Sequence, residues 1–366
     1  MGGEMVSEET KALLLKLLGG SISARASDLH LRAGSPPFIR IDGQLARTSA
    51  PALTAQTIEE VIALTSGRHP GQSGAVSWEY SFEQAGVARY RGHAFRDSGG
   101  WALSLRLVPS QIPTFQELRL PPVVKALSEH GPGLVLITGP TGSGKSTTAA
   151  AMLRYAAAAQ ALNVITVEDP IEYSLTDVAS CISQREVGRD TPSYADALQA
   201  AMREDPDLLF VGEIRDAASL EVVLQAAETG HAVISTFHTG SALKTVQRIL
   251  AMLPSDDQAG MRSRLADALR GIVCQRLLPR KGSRGRVVCC EVLVNNYAIK
   301  ECIKDPVKLA TIPAVLERSS DQQMHTFDKY LVALVRENMI AAEVAYTYAN
   351  APSDLRRLLN LQGVGT

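Results

Sequence analysis

The chain has 366 residues, with 37 Lys plus Arg against 38 Asp plus Glu, for a formal charge of −1. Apolar residues make up 45% and charged residues 20%, a globular composition that excludes wholesale disorder. Near-neutral charge argues against a protein that coats nucleic acid, and five cysteines, an odd number, do not suit a disulfide framework. No apolar run nears the roughly 18 residues of a membrane span. The N-terminus, MGGEMVSEETK, is acidic and lacks the apolar core of a signal peptide, so the expected setting is cytoplasmic.

At about 150 residues per domain the length predicts two or three domains. Leu13, Leu14, Leu17 and Leu18 recur at helical spacing, which predicts a helix over 4–19 ended by Gly19-Gly20. SDLHL (27–31) and PFIRIDGQL (37–45) read as strands, and 53–64 reads as a helix. VARYRGHAF (87–95) and WALSLRLV (101–108) read as two strands around the turn Asp97-Ser98-Gly99-Gly100. These elements predict a small α+β domain over 1–107. Four prolines within 108–122 suit a linker. Beyond it GLVLIT (133–138), NVITVED (163–169), DLLFVGE (207–213) and HAVISTF (231–237) alternate with helix-like segments. That alternation predicts an α/β domain over 123–366 built on a parallel-rich sheet. Its tail, about 295–366, reads as helical, with Ser353 a plausible N-cap for DLRRLL.

GPTGSGKST, Gly139 to Thr147, follows an apolar strand and opens a helix, the context that a phosphate-binding loop requires. Glycines let backbone N–H groups close around phosphate, and the helix N-terminus adds a positive dipole end. Gly139, Thr141, Gly142, Ser143, Gly144, Lys145, Ser146 and Thr147 are therefore the candidate nucleotide-binding residues. Lys145 reaches the β- and γ-phosphates, and the Ser146 hydroxyl ligates Mg²⁺. ATP and Mg²⁺ are the implied cofactors.

Hydrolysis also needs carboxylates at the ends of neighbouring strands, where ligands of open α/β sheets bind. VEDPIEY (167–173) supplies Glu168, Asp169 and Glu172, and the strand of DLLFVGEIRD is closed by Gly212 and Glu213. Glu172 is the candidate that positions water, and Glu213 the candidate that handles Mg²⁺. Asp169 and Asp216 read equally well as surface acidic turns. His231 and His238 bracket the fourth apolar run, where a histidine can sense phosphate or serve as an ordinary structural residue. Arg276, Arg280, Lys281, Arg284 and Arg286 form a basic cluster, read as a solvated hairpin or as a docking surface for an acidic partner or anionic lipid. Cys289 and Cys290 follow two valines, which predicts inert thiols on a buried strand.

The order GPTGSGKST, VEDPIEY, REDPDLLFVGEIRD, TGHAVISTFHT resembles the type II/type IV secretion ATPases, and the likeness covers about residues 25–350. Within that family the chain is similar to the type IV pilus retraction ATPases: it is short and lacks a CxxC…CxxC zinc insertion. One signature of that branch, Ala-Ile-Arg-Asn-Leu-Ile-Arg-Glu, stands here as AIKECIKD over 298–305, with lysines for arginines and Glu301 for Asn. The resemblance implies a RecA-like ATPase domain behind a PAS-like N-terminal domain, and a homohexamer that hydrolyses ATP to retract a pilus. It implies catalysis by Glu172, Mg²⁺ handling by Glu213, phosphate sensing by His231 and His238, and nucleotide contact by Arg91 and Arg106. For the two arginines a solvated strand face is the plain alternative. The implied partners are an inner-membrane pilus platform protein and related pilus ATPases, with the motor peripheral to that membrane. A pilus-extension or secretion ATPase is the alternative within the family. A RecA-like nucleic-acid translocase is the alternative outside it, although no nucleic-acid partner is expected.

Overall fold

The computed structural model describes residues 7–41, 44–72, 74–252, 258–282, 285–319 and 323–360. The chain divides into two compact units, Met1–Ser110 and Gln111–Thr366.

The first unit opens on the helix Glu8–Ser23. The Ser7 hydroxyl accepts the Thr10 N–H at 3.1 Å, and Glu8 and Glu9 place negative charge on the first turn. The helix passes through Gly19-Gly20 because Leu14, Leu17 and Leu18 bury one face, an apolar gain that outweighs the glycine penalty. It ends instead at Ser23, and Arg25 just beyond takes the left-handed conformation with φ 55°. Six strands follow: β1 Asp28–Arg32, β2 Phe38–Ile41, β3 Gln44–Arg47, β4 Ser77–Gln84, β5 Ala88–Asp97 and β6 Gly100–Val108. They form one antiparallel sheet in the order β3-β2-β1-β6-β5-β4. The helix Ala55–Ser66, capped by Thr54, packs Ile58, Val61 and Ile62 into a core with Leu29, Leu31, Leu103 and Leu105.

In the second unit much of the Pro-rich stretch is folded. Thr114 and Glu117 form a capping box on the helix Phe115–Leu118, and Ile112 and Leu120 are buried. The sheet comprises β7 Gly133–Thr138, β8 Asn163–Glu168, β9 Cys181–Glu186, β10 Leu208–Val211, β11 Ala232–Phe237, β12 Leu269–Pro279 and β13 Arg286–Val294. Its order is β13-β12-β7-β11-β10-β8-β9, and β13 alone runs antiparallel to its neighbour. The fold is thus mixed α/β with a parallel-rich sheet. Helices cover both faces, so β7, β10 and β11 are buried at every position, which is why they read as unbroken apolar runs.

The final segment is helical, including Phe327–Arg336 and Pro352–Asn360. Its last helix starts at Pro352, a residue suited to the first turn, so Ser353 lies inside the helix and does not precede it. Among the described residues no helix is long and apolar enough to cross a membrane.

Candidate active site

The four central strands β7, β11, β10 and β8 run parallel, so their C-terminal ends share one edge of the sheet. The glycine-rich loop leaves β7 at that edge and feeds the helix Lys145–Ala159. Gly139 has φ +147°, and a Cβ there would sit 2.4 Å from the Gln275 carbonyl oxygen, so only glycine fits the first turn of the loop. Lys145 is buried, and its Nζ donates to the carbonyls of Gly139 and Pro140 at 3.0 and 3.1 Å. Among the described residues no carboxylate pairs with it directly. Burial lowers its pKa, and the nearby Glu213 and Glu172 carboxylates oppose that shift. A buried ammonium held only by carbonyl oxygens is a ready partner for phosphate.

An open pocket of about 450 Å³ lies over this edge. Thr141, Gly142, Gly144, Lys145, Ser146 and Thr147 line it from the loop side, and Glu172, Glu213 and His238 line it from the neighbouring strands. The wall contains neither Gly139 nor Ser143: the first shapes the turn, and the Ser143 hydroxyl is buried beneath it. Ser146 offers a hydroxyl and Glu213 a carboxylate, the hard oxygen donors that Mg²⁺ takes. Among the described residues no cluster of three His, Cys, Asp or Glu forms a metal cage. Such a donor set suits Mg²⁺ held largely by phosphate and water.

Glu213 follows Gly212 beyond the end of β10. Its carboxylate accepts from Arg215 Nε at 3.2 Å and faces His238 Nε2 at 3.4 Å. Arg215 also binds Asp169 at 2.7 Å, so Asp169 belongs to an ion-pair network at the site. Asp216 caps the helix Ala217–Glu228 by accepting the Ser219 N–H at 2.7 Å. Gly212 stands where an aspartate commonly ends the second phosphate-site strand. A Cβ there would lie 3.1 Å from the Tyr194 hydroxyl and 3.2 Å from Glu168 Cα, so the packing leaves little room for one.

The two histidines separate. His238 follows the C-terminal end of β11 at the pocket, and Arg248 Nη1 holds its carbonyl. His231 precedes β11 at the opposite edge, where its Nδ1 meets the Ala226 carbonyl and the Thr229 hydroxyl. At ~3.3 Å per residue the six-residue strand puts about 20 Å between them. Within one chain the structure therefore does not bring His231 to the pocket.

Arg91 and Arg106 stand in the first unit, directly opposite each other on β5 and β6. Arg106 Nε binds the buried Asp28 at 2.8 Å while most of its side chain stays exposed. Like charges in such a cross-strand pair repel.

Several wall residues, Tyr194 and Thr236 among them, were not singled out as site residues by sequence reasoning. Gln184 comes from the edge strand β9, Tyr173 from the acidic turn, and Arg286 from the start of β13. Tyr173 had a local signal, two residues beyond Ile171 in VEDPIEY, and its hydroxyl hydrogen-bonds Thr147 at 2.9 Å. The rest of the basic cluster divides. Arg276 lies 3.9 Å over the Phe327 ring and binds the Tyr348 carbonyl, so it ties down the helical tail. Lys281 binds Asn338, Arg280 binds the Arg286 carbonyl, and Arg284 lies outside the described residues. Cys289 and Cys290 are fully buried on β13, and burial pushes both thiols up in pKa.

Comparison with known proteins agrees with this architecture. The profile of the family described as "Type II/IV secretion system protein" matches residues 105–331. The type IV pilus retractation ATPase PilT of Pseudomonas aeruginosa is 38% identical over 343 residues, which cover 93% of this chain and 99% of the relative. A twitching motility protein of Neisseria gonorrhoeae is 39% identical, with 84% of this chain and 83% of the relative covered. The crystal structure of the pilus retraction motor PilT with bound ADP superimposes with a TM-score of 0.85 at 41% identity, covering 94% of this chain and 99% of that one. The ATPase DotB of Legionella pneumophila aligns with a TM-score of 0.72 at 27% identity over 91% of this chain and 94% of its own. The chain therefore belongs to the type II/IV secretion system protein family, among relatives that include pilus retraction ATPases.

Proposed function

We propose that the chain is an ATPase motor that powers retraction of a type IV pilus. The observation that carries this reading is the convergence of Lys145, Glu172, Glu213 and His238 on one pocket at the phosphate loop. The direction of work, retraction, is supported by the PilT relatives, which match this chain along nearly its whole length.

In this reading the triphosphate lies on the loop, and the Lys145 ammonium exchanges the carbonyls of Gly139 and Pro140 for phosphate oxygens. Ser146 and Glu213 would hold Mg²⁺, which would neutralise phosphate charge when bound. Glu172 orients the attacking water and takes up its proton. His238, set by Glu213, hydrogen-bonds the γ-phosphate as charge builds on it. His231 lies away from its own chain's pocket and takes no part in hydrolysis there. The working form is a homohexamer in the cytoplasm. There Arg91 and Arg106 add positive charge at the transition state, and the ring acts on an inner-membrane platform protein. Cells carrying Glu172→Gln in place of the wild-type chain are expected to assemble pili that no longer retract. Normal twitching in such cells would contradict the proposal.

A further inference from the structure

The turn that carries Glu172 hangs from buried polar side chains on β8 and β9. Glu168 closes β8 and is buried beneath the turn that carries Glu172. Glu168 Oε1 accepts from Thr166 Oγ1 at 2.8 Å and from Gln184 Nε2 at 3.0 Å. Gln184 grips the same turn twice: Nε2 donates to the Tyr173 carbonyl at 3.0 Å, and Oε1 accepts the Leu175 N–H at 2.7 Å. Glu186, opposite Glu168 in the parallel register, accepts the Ile171 N–H at 3.1 Å. Two buried acids therefore anchor the turn, Glu186 directly at the Ile171 amide and Glu168 through Gln184. Surface turns do not need such anchors. A buried carboxylate is costly unless its hydrogen bonds are made, and here they are made to the loop that faces the nucleotide.

We propose that Glu168 and Gln184 are positioning residues for ATP hydrolysis, fixing the turn so that the Glu172 carboxylate points into the nucleotide pocket. This rests on the reading of Glu172 as the residue that orients water.

The anchor depends on protonation. Burial first, and then the neighbouring Glu172 charge, push Glu168 up to about 7, against the hydrogen bonds from Thr166 and Gln184. The other titratable and charged groups around it are Asp169 and Glu172 on the turn, Glu186 on β9, Tyr194 on the helix Tyr194–Ala201, and Glu213 with Arg215 past β10. As a carboxylate, Glu168 accepts from both Thr166 and Gln184. On protonation one oxygen becomes a donor. Protonation removes acceptor capacity from the carboxyl that Thr166 and Gln184 share, which weakens the hold on Gln184 and through it on the turn. The amide of Glu168→Gln presents the same loss at every pH.

The test uses the full chain and measures kcat, the dissociation constant of a fluorescent ATP analogue, and kcat against pH. Glu168→Gln and Gln184→Ala are each expected to lower kcat roughly 10–100-fold with nucleotide affinity within about threefold of wild type, as a misplaced catalytic group does. The wild type is expected to lose kcat as pH falls through about 7, and Glu168→Gln to lack that limb. If Glu172→Gln is inactive while Glu168→Gln and Gln184→Ala turn over at the wild-type rate, the positioning role is overturned and the role of Glu172 stands. Wild-type turnover by Glu172→Gln would overturn the underlying reading instead. Should Glu168→Gln fail to fold, Gln184→Ala decides: an equal loss of affinity and kcat would overturn the proposal.

Discussion

His238 Nε2 lies 3.4 Å from Glu213 Oε1, joining residues just past the ends of the adjacent strands β11 and β10. Arg215 occupies the other Glu213 oxygen, so the carboxylate spans a cation and an imidazole. The contact orients the ring toward the pocket that both residues line. His238→Ala is expected to lower kcat by roughly 10–100-fold, while an ATP analogue binds within about threefold of wild type. Titration with the analogue beside steady-state turnover checks the split. An equal loss in both would show that the histidine only binds.

Lys145 is a buried cation whose present partners are two carbonyls. Its charge-assisted bonds to phosphate account for about 1.5–3 kcal/mol. Lys145→Ala is therefore expected to weaken nucleotide binding by roughly 10–100-fold, read by calorimetry. Unchanged affinity would remove the loop from the site.

Arg91 and Arg106 face each other across β5 and β6, and Asp28 neutralises only Arg106 by ion pair. Arg91→Ala is expected to melt at or above the wild-type temperature, since it removes a like-charge pair. Its hydrolysis rate is expected to fall by roughly 10³-fold or more with little change in affinity. A lower melting temperature with full activity would return Arg91 to an ordinary strand face.

Glu168 also makes a stability prediction. Its folded-state value, about 7, stands above the usual 4.5, so its contribution is fully present below pH 4.5 and is lost as pH rises through 7. Glu168→Gln lacks this titration. Relative to wild type the variant is expected to melt lower at pH 5 than at pH 8.5, the gap shifting in its favour across that range. A gap constant with pH would show that the carboxyl titrates normally.

Of the five cysteines only Cys181 is exposed. A thiol reagent is expected to label one cysteine rapidly in the folded chain and the other four only on unfolding. Fast labelling of Cys289 or Cys290 would contradict the burial of β13.

The phosphate loop was legible because its chemistry is local: nine consecutive residues hold the glycines, the lysine and the hydroxyls. The buried strands were legible for a similar reason, since covering both faces of a sheet leaves unbroken apolar runs. What could not be read comes from pairing across the sheet. Gln184 sits on an edge strand with no apolar signature and becomes meaningful only through its register with Thr166 on β8. His231 and His238 look equivalent in sequence, yet the direction of β11 sends them to opposite edges. Arg286 reads as part of a hairpin, but its pairing with Pro279 turns it to the pocket. Arg276 reads as solvated, and only the fold of the tail supplies Phe327 and the Tyr348 carbonyl. The helix that crosses Gly19-Gly20 shows tertiary burial overriding a local breaker.

Steady-state phosphate release by the purified full chain with ATP and Mg²⁺ tests the central claim most directly. The account predicts turnover by the wild type, weakened nucleotide binding and lost turnover in Lys145→Ala, and retained binding with turnover lowered at least about 100-fold in Glu172→Gln. Equal phosphate release by all three proteins would contradict it.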